Sequence, residues 1–139
     1  MIKTLDFQFI RYANLFNRVT RLRAKHCFIY NNMIVFTVPR FLVAKAIGQD
    51  NINLKRLNEI TGKRVKIVAI PYGREDIENF VSVIVYPVKF RAIQIKDDDA
   101  IITASLQNKA SLIGRDKVRL NEMQNILSQY FGIRKLMIK

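Results

Sequence analysis

One cysteine, one histidine and few acidic residues set the first limits on this 139-residue chain. Cys27 alone cannot form a disulfide within the chain, which fits a reducing compartment. With a single His26 and a single Cys27, a zinc site or a Cys–His nucleophile couple lacks parts. The two are adjacent in a β-rich run and so point to opposite faces, which makes Cys27 a buried small apolar residue. No apolar run approaches the ~20 residues that a membrane helix needs. The start, Met1-Ile2-Lys3-Thr4, has no apolar signal core, and Asp6 and Arg11 interrupt the next stretch of chain. These gaps predict a cytoplasmic protein with no membrane association.

Acidic residues number 11 against 24 Lys or Arg, a net charge of +13. Such an imbalance calls for a polyanionic partner, nucleic acid before an anionic membrane. The charge is uneven: residues 1–70 carry a net +10 and residues 71–139 a net +3. Half of the residues are apolar, enough for one compact domain or two very small ones.

Leu5, Phe9, Tyr12, Phe16 and Val19 recur at helical spacing and predict an amphipathic helix over 4–22. Arg11, Arg18 and Arg21 fall on its other face, a surface open to nucleic acid, another protein, a membrane or solvent alone. The aromatics Phe7, Phe9, Tyr12 and Phe16 are assigned to the core. Strands His26–Tyr30 and Met33–Val38 come next, joined at Asn31-Asn32, which tolerate positive φ. Pro39 introduces a helix over Arg40–Ile47, Gly48-Gln49-Asp50-Asn51 breaks it, and a second helix runs Ile52–Thr61 with Leu54, Leu57 and Ile60 inward. Gly62 ends that helix, and Arg64–Ile70 reads as a strand. After the linker Ile70-Pro71-Tyr72-Gly73 the order returns: helix Glu75–Val85, strands Val88–Ile95 and Ala100–Ala104, helix Asn108–Ile113, break Gly114-Arg115-Asp116-Lys117, helix Val118–Phe131, Gly132, strand Ile133–Ile138. Tyr72 and Tyr86 are expected to pack the two halves together.

Both halves thus read α-β-β-α-α-β. Ile47-Gly48-Gln49-Asp50-Asn51-Ile52-Asn53-Leu54 aligns with Ile113-Gly114-Arg115-Asp116-Lys117-Val118-Arg119-Leu120 at an offset of 66 residues. A glycine between paired helices lets the chain turn sharply and approach a ligand backbone. The next helix turns its positive end outward, which suits a phosphate diester.

The repeated Ile-Gly-x-x-x-x-x-Leu between two helices resembles the KH domain, and the order α-β-β-α-α-β its bacterial-type (type II) variant. Two such units with almost nothing else resemble the archaeal NusA-type transcription factors over essentially the whole chain. The resemblance implies an α+β fold of two tandem KH domains, 1–70 and 71–139, packed as one rigid body. It implies binding of single-stranded RNA, about four nucleotides per unit, without cofactor or metal, by a non-enzymatic and monomeric protein. It further implies action on nascent transcripts in elongation, pausing or termination, with RNA polymerase as a partner. The turns depart from the usual Gly-x-x-Gly at Asn51 and Lys117. Asp50 and Asp116 would repel a phosphate unless they face away or cap the next helix, and capping is the expectation.

The candidate RNA-binding residues are Lys45, Gly48, Gln49, Asn51, Asn53, Lys55 and Arg56 in the first unit. In the second they are Lys109, Gly114, Arg115, Lys117 and Arg119. Strand residues Arg64, Lys66, Arg134 and Lys135 are added as phosphate contacts. A KH protein of ribosome assembly or rRNA processing fits the same sequence. A metal-dependent nuclease would have to use Asp97-Asp98-Asp99, but an acidic run between strands marks a turn and no second carboxylate cluster accompanies it.

Overall fold

A computed structural model describes residues 7–139; Leu5 and the start of the expected first helix lie outside them. The chain divides into two compact units, with the boundary between Ile70 and Pro71. It is an α+β fold of six α-helices and two three-stranded sheets among the described residues.

In the first unit, α1 (Phe7–Thr20) leads to strands β1 (His26–Tyr30) and β2 (Met33–Val38). Asn31 and Asn32 take φ of 50° and 63°, the left-handed pair of a tight hairpin. A 3₁₀ turn over Arg40–Leu42 precedes the short α2 (Val43–Ile47), and α3 (Ile52–Thr61) returns the chain to β3 (Val65–Ala69). β2 is central, antiparallel to β1 and parallel to β3. A parallel return needs a crossover, and α2 with α3 supplies it. Phe16, Cys27, Ile34, Phe36, Leu57 and Ile67 are part of the core between helices and sheet. Phe16 and Phe36 pack ring on ring, centroids 4.5 Å apart.

The second unit repeats this plan. A 3₁₀ turn over Arg74–Asp76 opens α4 (Ile77–Val85), followed by β4 (Ala92–Lys96), β5 (Asp99–Thr103), α5 (Leu106–Ile113), α6 (Val118–Phe131) and β6 (Lys135–Ile138). β5 is central, antiparallel to β4 and parallel to β6.

Several expectations need correction. α1 ends at Thr20, so Arg21 lies beyond the helix, at φ 65°. Thr20 Oγ1 donates to Phe16 O at 2.8 Å and accepts from Leu22 N at 3.1 Å, closing the helix end. Thr61 does the same with Leu57 O and Lys63 N around Gly62. Phe7 is 83% exposed rather than core, because two residues before Phe9 is the opposite helix face. Ile60 is 55% exposed: three-residue steps from Leu54 drift about 60° each around the helix, which carries it off the buried face. The expected strand from Val88 begins only at Ala92, since Val88 N bonds back to Val85 O in a turn. Tyr72 and Tyr86 are exposed.

Candidate nucleic-acid interface

The two breaks between paired helices have the same backbone. Gly48 sits at φ 83°, ψ 163° and Gly114 at φ 74°, ψ 171°, a region open to glycine and almost nothing else. Asp50 (54°, 31°) matches Asp116 (55°, 29°), and the left-handed Asn51 (60°, 26°) matches Lys117 (61°, 23°). Each unit therefore holds two consecutive non-glycine residues in a conformation that L-residues avoid.

That geometry decides where the backbone donors go. Gly48 N–H closes α2 on Ala44 O, and Asn51 N–H turns back to Gly48 O at 3.1 Å. Gly114 and Lys117 do the same with Ala110 O and Gly114 O. Between them, the N–H groups of Gln49 and Asp50, and of Arg115 and Asp116, donate to no described residue. Successive unpaired N–H groups in such a turn form a concavity that suits an anion.

Asp50 and Asp116 do not cap the helices after them. The N-cap positions are Asn51 and Lys117, both left-handed, and neither helix start has a side-chain cap. A capping side chain needs an extended backbone at the N-cap, which two left-handed residues in a row preclude. Both aspartates are exposed instead.

The residue five positions after each glycine lies over it. A Cβ on Gly48 would come within 3.0 Å of Asn53 Nδ2 and 2.9 Å of Ile52 Cγ2. A Cβ on Gly114 would lie 2.6 Å from Arg119 Cγ and 3.0 Å from its backbone nitrogen. Asn53 and Arg119 are thus part of the turn's packing. Arg119, 26% exposed at its side chain, also donates from Nη1 to Glu122 Oε1 at 2.8 Å, three residues on in the same helix. The sequence signal for this was the offset alignment itself, which pairs Asn53 with Arg119.

Gln49, Asn51, Arg115 and Lys117 are exposed on the turns, and Lys45, Lys55 and Arg56 are exposed on the flanking helices. Lys109 is half-buried on α5. Arg64, Arg134 and Lys135 are not brought to the turns: they come after the far ends of α3 and α6. α6 has 14 residues, about 21 Å at 1.5 Å per residue. Lys66 is half-buried on β3, where burial and then the nearby Arg64 push its pKa down. Arg134 is bound to Asp99 at 3.1 Å.

The acidic run is a turn between β4 and β5. Arg74 Nη2 holds Asp98 Oδ1 at 2.9 Å, Nη1 donates to Asp97 O at 2.7 Å and Nε to Phe131 O at 3.2 Å. With Arg134 on Asp99, two of the three carboxylates face a guanidinium, and among the described residues no cluster could hold a metal ion. Cys27 is buried, and burial pushes its thiol up to about 12. Burial and then Lys25 lower the pKa of His26. Among the described residues no helix is long and apolar enough to cross a membrane.

No protein-family model matches the chain. It is 19% identical over 140 residues to the "Probable transcription termination protein NusA" of Thermoplasma acidophilum, covering 98% of this chain and 95% of that one. The protein of the same description from Halococcus morrhuae is 24% identical over 133 residues, covering 94% of both chains. The fold is similar to the crystal structure of APE1850, with a TM-score of 0.64 and 26% identity over 95% of this chain and 98% of that one. At low identity but nearly full length, the chain is similar to archaeal NusA-like proteins.

Proposed function

We propose that this protein binds single-stranded RNA through two KH-type units and acts on nascent transcripts as a NusA-like factor in elongation, pausing or termination. The observation that carries the reading is the twice-built turn, in which a glycine-only backbone leaves two successive N–H groups open beside a basic surface. Phosphates of an RNA strand would accept from Gln49 and Asp50 N–H in one unit and from Arg115 and Asp116 N–H in the other. Arg115 and Lys117 add charge in the second unit; the first supplies more of the net charge, +10 against +3. The reading is of a non-enzymatic binder, supported by Arg74 and Arg134, which pair with two of the three carboxylates of the acidic turn that a nuclease would need. The low-identity relatives support the transcriptional setting, and RNA polymerase is the expected protein partner.

Binding of short single-stranded RNA by the wild type and by a Gln49→Glu, Arg115→Glu, Lys117→Glu variant tests the site. All three side chains are exposed, so the variant is expected to fold. Affinity should fall at least tenfold, and unchanged affinity would falsify the assignment. Co-purification with RNA polymerase supports the transcriptional role; co-purification with pre-ribosomal particles instead contradicts it.

A further inference from the structure

The duplication provides an internal comparison for the first helix. α1 and α4 open the two units at equivalent places, yet their charge differs. Residues 7–25 carry five Lys or Arg and no acidic residue, whereas residues 74–91 carry three of each. The acid-free stretch continues to residue 49. A merely solvated helix face does not require such a one-signed sequence, and its counterpart does without it.

The arginines of α1 are placed outward. Phe9, Tyr12, Leu15, Phe16 and Val19 pack on the core, so Arg11 and Arg18 lie on the outer face, about 10 Å apart along the axis. Both are exposed, as are Arg21, Arg23 and Lys25 in the segment that leads to β1. None of the five is in an ion pair with a described residue. With no carboxylate among the described residues paired to them, these five cations repel one another and lower stability slightly, a burden that a bound polyanion removes. α1 packs against α2 and α3, the helices that carry the Gly48 turn.

We infer that the outer face of α1 and the Arg21–Lys25 segment form a second RNA contact, reading the phosphate backbone beyond the few nucleotides held at the turn. This rests on the proposed RNA binding and extends it. The contact is electrostatic and indifferent to base sequence, because arginines on a convex helix face reach phosphates and leave bases unread. Its consequence is dependence on RNA length. A strand of about four nucleotides fills the turn alone, and a longer strand also meets α1.

The test uses the full chain and an Arg11→Gln, Arg18→Gln, Arg23→Gln, Lys25→Gln variant. Anisotropy titrations with single-stranded RNA of about 5 and about 20 nucleotides are compared over a range of salt. Affinity for the short strand should change less than about threefold, since the turn is untouched. Affinity for the long strand should fall by about tenfold or more, and its salt slope should shrink by roughly 0.7 for each phosphate that is no longer neutralised. If wild type and variant bind the long strand alike, the inference is overturned, even where the variant no longer binds an acidic protein partner. Equal losses on both lengths also overturn it. Failure of the wild type to bind either RNA refutes the proposed function itself. Unchanged circular dichroism and Tm exclude unfolding as the cause.

Discussion

Replacing each turn glycine by alanine separates two demands that the structure places on it. Gly62 is the reference: its φ is 69°, but a Cβ there would meet nothing within 4 Å. Gly62→Ala should therefore cost only the left-handed conformation, about 1 kcal/mol. Gly48 combines its glycine-only backbone, a cost of order 1–3 kcal/mol, with a contact 2.9 Å from the stiff β-branched Ile52. Gly48→Ala should cost about 2–3 kcal/mol. Gly114 is worse placed, since its Cβ would meet the Arg119 backbone at 3.0 Å as well as Cγ at 2.6 Å, and backbone does not swing aside. Gly114→Ala should cost about 3 kcal/mol or more. Urea unfolding followed by circular dichroism reads this order: with a slope near 1.5 kcal/mol per molar, the midpoint falls by roughly 0.7, 1.5 and 2 M. Comparable midpoints for all three variants would refute the claim that the turns are shaped around a missing side chain.

Arg74→Ala removes three hydrogen bonds made by a side chain 43% exposed; stability should drop by about 1–2 kcal/mol, with faster hydrogen exchange at the β4–β5 turn. Arg134→Ala, at a side chain 77% exposed, should cost under about 0.5 kcal/mol; equal losses would contradict the assignment of the clasp to Arg74. Arg21 occupies at the end of α1 the conformation that Gly62 occupies at the end of α3, so Arg21→Gly should raise stability by about 0.5–1 kcal/mol, and a lowered Tm would count against it. Burial raises the Cys27 thiol from 9.0 to about 12, so above pH 9 the unfolded chain alone loses the proton. Stability should be level below that pH and decline from pH 9 toward 12, more than in Cys27→Ala, and matching pH profiles would contradict the burial.

The element order was legible because core periodicity and turn residues agreed. Leu54 and Leu57, Phe80 and Ile84, and the Asn31-Asn32 hairpin all act through local spacing or local φ preference. The repeat was legible because Ile47-Gly48 and Ile113-Gly114 recur with their neighbours. The misreadings came where a side chain competed with its general preference. Aspartate usually caps helices, yet Asp50 and Asp116 sit one residue too early, in a left-handed backbone that prevents capping. Arg21 carries no glycine signal for the turn it makes, although the Thr20 hydroxyl closes that turn as the Thr61 hydroxyl closes the one at Gly62. For Arg119 the sequence offered only a charge beside the turn; its closeness to Gly114 comes from the turn's backbone, and its partner Glu122 lies three residues on in the same helix. Val88 and Phe90 alternate as a strand does, but no partner continues past Thr103 to receive them.

Amide chemical shifts during titration with short single-stranded RNA test the central claim most directly. The account predicts the largest, saturable changes at the N–H groups of Gln49, Asp50, Arg115 and Asp116, with the core amides of β2 and β5 unmoved. Saturable binding that leaves both turns unshifted and perturbs another surface would contradict it.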